Sequence, residues 1–176
     1  MQRQSPFFTL PDGQHVHFRP VSPQDEPQIS EAIATASRET LLHRFFIPLR
    51  GVAPEELRKM LTIDPAREFC IVGEVKGPGV PRIICGARYV RLKDPAVAEI
   101  ALTVHDDFQH QGIGRCLLRL LVERGRMDGI RTFVADVLAT NTPMLRLLQE
   151  IAPKRRSSFA DGVSHVEWDI NDVTPA

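Results

Sequence analysis

Cysteine is scarce in this chain: Cys70, Cys85 and Cys116 are all it holds, each inside an apolar segment and none in a C-x-x-C pair. Odd, scattered thiols exclude a disulfide framework and suit a reducing compartment. A catalytic cysteine is the functional alternative, but a buried thiol ordinarily behaves as a small hydrophobe. Charge of one sign is missing as well. Lys and Arg number 22 against 22 Asp and Glu, which argues against broad nucleic-acid binding. Long apolar runs are absent too. None approaches the roughly 20 residues that span a bilayer, and Met1 to Leu10 lacks the apolar centre of a secretory signal. The expectation is a cytoplasmic protein bound to neither membrane nor nucleic acid. Six histidines lie scattered without metal-ligand spacing, so no metal is expected.

The 176 residues suit one domain with one core. Residues 14–19 alternate as a strand. Ser22, Pro23 and Asp25 form a helix-start signature ahead of Ile29 and Ile33. Short helices are predicted over 37–46 and 54–61. The period then shortens: 67–75 and 81–92 read as an antiparallel hairpin around Lys76-Gly77-Pro78-Gly79, and 97–105 as a third strand. A helix carries Ile113, Cys116, Leu117, Leu120 and Leu121 on one face and ends near Gly129. Residues 131–138 read as a strand, 142–151 as a helix and 163–170 as a closing strand. The expected domain covers 14–170, with an N-terminal extension over 1–13 and a flexible tail over 171–176. Helices interleave with a sheet that the hairpin prevents from being wholly parallel, an α/β (α+β) mixed-sheet class.

Ile100 to Val104 leads straight into Gln109-His110-Gln111-Gly112-Ile113-Gly114, and a helix begins there. The first amides of a helix have no intrahelical partner, and the helix dipole favours negative charge, so this is a ready anion site. Gly112 and Gly114 let a phosphate approach the backbone. The turn lacks the Lys-Ser/Thr pair of a P-loop and the third glycine of the dinucleotide fingerprint. Two glycines alone fit a plain strand-to-helix turn equally well.

The wider pattern resembles the GNAT acetyltransferase superfamily. Gln109-x-x-Gly112-x-Gly114 after an apolar strand matches its motif A, and Asn141-Thr142-Pro143-Met144-Leu145 resembles its motif B. Asp12-Gly13, Val16 to Val21, Asp25-Glu26 and Ser37 to Phe46 look like the acetyltransferase domain of bacterial Pat-type protein lysine acetyltransferases. The resemblance implies a mostly antiparallel central sheet with a splayed strand pair, flanked by helices. It implies acetyl-CoA as cosubstrate and transfer of acetyl to an amine, chiefly a protein lysine, by direct attack in a ternary complex. The backbone of Leu102 and Val104 would hold the acetyl and pantetheine groups. Amides of Gln109, His110, Gln111, Gly112, Ile113, Gly114 and Arg115 would bind the pyrophosphate, and Asn141 would contact the pantetheine arm or organise its loop. A small-molecule amine acceptor and a non-catalytic acetyl-CoA sensor are the rival readings, and a monomer or homodimer is expected.

Acetyl transfer needs a neutral amine, whereas a lysine of pKa about 10.4 is mostly charged at pH 7. Glu99 is the candidate base. It is acidic in an apolar strand and shares a face with Ala101 and Thr103, which leave room around it. Ala98-Glu99-Ile100 also resembles the catalytic glutamate position of lysine-modifying relatives. Many relatives use a Tyr after motif B as general acid, but the single tyrosine, Tyr89, lies on an earlier strand. His15 and His17 read as surface, Arg155 and Arg156 as a solvated face, and Arg44-Phe45-Phe46 as either acceptor lining or core.

Overall fold

Helix starts follow the capping signals. The computed structural model describes residues 7–77 and 79–173. In it Asp25 accepts from the Ser22 amide at 2.8 Å while Ser22 caps a 3-10 turn, Pro23–Asp25, that leads into α1, Glu26–Thr35. Ser37 accepts from the Thr40 amide at 3.1 Å and starts α2, Arg38–Phe45, which Phe46 ends in the left-handed region at φ 64°. Pro54 opens α3, Pro54–Leu61.

The strands are β1 Phe7–Thr9, β2 His15–Pro20, β3 Glu68–Val75, β4 Arg82–Arg91, β5 Val97–Val104, β6 Thr132–Leu138, β7 Arg156–Ala160 and β8 Val163–Asp169. They form one sheet in the order β1-β2-β3-β4-β5-β6-β8-β7. The predicted hairpin is β3–β4, and Pro78 of its turn lies outside the described residues. Helices α4, Ile113–Met127, and α5, Thr142–Ile151, complete the mixed architecture.

Two strands carry no readable period. β1 falls within the expected N-terminal extension yet pairs antiparallel with β2, Phe8 opposite Val16. β7 contains Arg156 of the predicted solvated face, and all five of its residues are exposed. An edge strand with both faces in water has no apolar alternation to betray it. Residues 1–6 and 174–176 of the predicted extension and tail lie outside the described residues, whereas Ile170–Asp172 forms a 3-10 turn.

Among the described residues β5 and β6 are the only parallel neighbours, and they separate early. Pairing runs Val97 with Thr132, Ala98 with Phe133 and Glu99 with Val134, then stops, while β6 continues against β8 as far as Leu138. β5 meanwhile stays paired with β4 up to Val104. From Ile100 onward one edge of β5 is therefore open.

The main core lies where α4 and α5 cover the sheet face that carries Tyr89, Ile100, Phe133 and Trp168. Tyr89 is 2% exposed, and its ring lies 5.9 Å from that of Phe133. Its hydroxyl donates to Asp128, which also accepts from Arg124 Nε at 2.7 Å. Burial and this bond to a carboxylate raise the phenol above its ordinary pKa. The single tyrosine thus belongs to the core. Tyr89→Phe should cost about 1–2 kcal/mol of stability in urea unfolding while leaving transfer kinetics within about twofold.

Candidate active site

The glycine turn leaves helix amides free of partners, the arrangement that suits an anion. Gly112 sits at φ 88° as the N-cap of α4, and the first intrahelical donor is the Cys116 amide, 3.2 Å from the Gly112 carbonyl. The amides of Ile113, Gly114 and Arg115 therefore have no partner within the helix. His110 also adopts a positive φ, 60°, and its side chain is exposed. A Cβ on Gly112 would lie 3.1 Å from Phe8 Cζ, and one on Gly114 would lie 3.4 Å from Leu147 Cδ2. The N-terminal strand thus packs against the turn through Phe8, a contact with no signal in the sequence.

Turn and open strand edge face one cleft of about 690 Å³. Its walls include Leu102 and Val104 of β5, Gln109 to Arg115 except Gln111, Asn141 to Leu147 except Leu145, and Thr40 and Arg44 of α2. A long, narrow ligand with an anionic end fits such a cradle: both glycines keep its floor clear, and β5 offers unpaired backbone groups along its side. Arg115 is engaged with Glu150 across the cleft wall. Asn141 accepts from the Met144 amide at 3.2 Å and so caps α5. Gln111 donates to the Asp107 carbonyl at 3.3 Å and lies off the cleft walls.

Sequence reasoning missed the network behind the turn. Gln109 Nε2 donates both to the Val104 carbonyl and to Thr40 Oγ1, each at 3.0 Å. Asp106 accepts from the Ser37 amide at 2.8 Å, from Ser37 Oγ at 2.6 Å and from Thr40 Oγ1 at 2.8 Å. Together they tie the N-terminus of α2 to the end of β5. Burial alone would raise the Asp106 pKa, but the bonds from Ser37 and Thr40 outweigh it and hold the carboxyl below the ordinary carboxylate range. A lowered folded pKa means this contribution is complete above the unfolded value of about 3.9 and is lost as pH falls through the folded one. Asp106→Ala should cost roughly 2–4 kcal/mol in urea unfolding at pH 7. The gap from wild type should narrow steadily as pH is lowered below about 4.

Glu99 stands where β5 and β6 part. It is exposed, is the last β5 residue paired to β6, and lines neither the cleft nor the cavity behind it. On the same side of the sheet lie Ala101 and Thr103, as the alternation predicted. The half-buried Arg44 is close enough to feel its charge. The cysteines are poor nucleophiles: burial raises all three thiols, that of Cys85 to about 12, and at Cys70 it outweighs nearby Arg88 and Arg44. His15 and His17 pack with Phe7 at the β1–β2 edge of the sheet. Among the described residues no three His, Cys, Asp or Glu cluster as metal ligands, and no helix is long and apolar enough to cross a membrane.

A mixed sheet opened between two parallel strands, with a helix N-terminus at the mouth of the opening, is the architecture of an N-acyltransferase domain. Residues 36–152 match the acetyltransferase (GNAT) family, and the chain belongs to that family. It is therefore an acetyltransferase, with acetyl-CoA as its cosubstrate. It is 29% identical over 136 residues to an acetyltransferase of Pseudomonas aeruginosa, covering 77% of this chain and 73% of that one. It is 33% identical over 140 residues to the acetyltransferase Pat of Mycolicibacterium smegmatis, a match that spans 79% of this chain but 41% of the relative. The crystal structure of the GNAT domain of S. lividans PAT superposes with a TM-score of 0.83 over 96% of this chain and 98% of that one, at 24% identity, which establishes the shared fold.

Proposed function

We propose that the protein transfers the acetyl group of acetyl-CoA to a primary amine, a protein lysine side chain, by direct attack. The observation that carries this reading is the open edge of β5 running into the glycine turn within one cleft, with Glu99 at the point where the strands separate. The amides of Ile113, Gly114 and Arg115 take the pyrophosphate, and the β5 backbone at Leu102 and Val104 holds the pantetheine and the thioester. Gln109 sets the turn against α2 through its side chain, Gln111 braces it from outside, and His110 lines the cleft at a positive φ. Asn141 acts by capping α5 beside the pantetheine path.

Glu99 accepts the proton of the incoming ammonium group, directly or through a water molecule, and its exposure gives that proton a route to solvent. The freed amine attacks the thioester carbonyl. A β5 backbone N–H stabilises the oxyanion, the C–N bond forms as the nitrogen gives up its second proton to water, the C–S bond breaks, and the CoA sulfur takes a proton back from water. A thiolate leaves readily, so the core placement of Tyr89 removes no required group. The lysine preference rests on the likeness of Val16 to Val21 and Ser37 to Phe46 to Pat-type domains.

Titration with acetyl-CoA, followed by CoA release in the presence of lysine peptides and mass spectrometry of a lysate given labelled acetyl-CoA, tests the proposal. Binding with new acetyl-lysine is the expected result. Binding with transfer only to small amines would move the acceptor, and binding without any transfer would make the domain a sensor.

A further inference from the structure

A second cavity, of about 150 Å³, lies between the Ala101 and Thr103 side of the sheet and helices α1 to α3. Val21, Ile29, Leu57 and Met60 give it a mostly apolar wall. It meets the cosubstrate cleft, because Thr40, Arg44 and Thr103 line both. The unusual feature is its polar complement. Arg88 uses one guanidinium nitrogen to pair with Glu68, but its Nε is buried with no partner among the described residues. Thr103 Oγ1 is likewise buried and unpartnered among them. Arg44 makes neither a hydrogen bond nor an ion pair with any described residue and only stacks over Phe45, 5.2 Å from the ring centroid. The other polar groups of the wall are satisfied, Thr40 by Asp106 and Gln109 and His105 by Thr35 and Arg82.

Two buried, unmet donors, Arg88 Nε and Thr103 Oγ1, and the half-buried Arg44 line a mostly apolar space. A buried donor left unpaired costs about 1–3 kcal/mol, and more when charged. Burial and the neighbouring Arg88 already depress the Arg44 pKa, opposed by Cys70 and Glu99. A negatively charged acceptor is the partner that guanidinium and hydroxyl donors bind most strongly.

We propose that this cavity is a carboxylate subsite that receives the acyl end of a dicarboxylic acyl-CoA, its carboxylate held by Arg44, Arg88 Nε and Thr103 Oγ1. The proposal rests on the acyl-CoA reading of the cleft. The volume equals roughly five waters at about 30 Å³ each, enough for the five non-hydrogen atoms beyond a succinyl thioester carbonyl. Transfer follows the same chemistry as acetyl transfer: the amide C–N bond forms as the C–S bond breaks, CoA leaves as the thiol, and the distal carboxylate is unchanged.

Calorimetric titration of the full chain with acetyl-, butyryl- and succinyl-CoA tests this without needing an acceptor. Butyryl matches succinyl in chain length but lacks the charge. Succinyl-CoA should bind at least tenfold more tightly than butyryl-CoA, and both Arg44→Met and Arg88→Met should erase that ratio. Equal affinity of wild type for the two overturns the subsite, even if neither variant folds, and so does a preference that survives both substitutions. If acetyl-CoA binds and no preference exists, only the subsite fails; if no acyl-CoA binds, the reading of the cleft fails with it. Should glutamate bind the CoA complex in an Arg44-dependent way while succinyl- and butyryl-CoA bind alike, the carboxylate comes from the acceptor, and the acyl assignment is overturned.

Discussion

Glu99→Gln is expected to lower kcat by about 10²- to 10⁴-fold while acetyl-CoA binds with its wild-type Kd. The substitution keeps the shape of the side chain and removes only its capacity to take a proton. Glu99 lies off the walls of the cosubstrate cleft, so the thioester loses no contact. The loss should shrink as pH rises toward the pKa of the acceptor, because a growing fraction of amine then arrives already neutral. A pH profile of kcat/KM for both forms reads this directly. A variant that turns over at the wild-type rate near neutral pH would remove Glu99 from the mechanism. One that loses acetyl-CoA affinity in the same proportion as rate would make it a structural residue.

Gly112→Val is expected to act on the other half of the reaction. At φ 88° any side chain is strained, by roughly 1–2 kcal/mol, and a β-branched one by more. Added to this is the closeness of Phe8, whose Cζ lies 3.1 Å from where Cβ would stand. The turn can relieve both only by shifting the amides of Ile113 to Arg115 away from the pyrophosphate. Since 1.4 kcal/mol is a factor of ten, the acetyl-CoA Kd should rise by about tenfold to a hundredfold. Gly114→Ala is the useful contrast, because its Cβ would meet Leu147 at an ordinary 3.4 Å. Calorimetry on both variants separates strain in the turn from mere bulk near the ligand. Unchanged affinity in Gly112→Val would mean the phosphate is held elsewhere.

Much of this arrangement was legible in the chain. Ser22 with Asp25 marks a helix start through bonds between near neighbours, and the Gln109 to Gly114 spacing marks the turn because a helix N-terminus is a local object. The parting of β5 from β6 reached the sequence reading only through family resemblance, since nothing in Val97 to Val104 states where pairing with a distant strand ends. β1 and β7 escaped because edge strands in water need no alternation. The ties of Asp106 to Ser37 and Thr40, and the closeness of Phe8 to Gly112, join residues about 70 and 100 positions apart. Side chains at such separations leave no periodic trace.

The Phe8 contact has a wider meaning. The glycine turn proposed to take the pyrophosphate leans on a three-residue strand at the edge of the sheet. Grip and strand are then two ends of one lever. If the turn holds the pyrophosphate as proposed, whatever frays β1 loosens the hold on the cosubstrate, and by thermodynamic reciprocity a bound cosubstrate steadies β1 by the same factor. Occupancy of the active site is thus felt at the chain's beginning, where amide hydrogen exchange over Phe7 to Thr9 would report it.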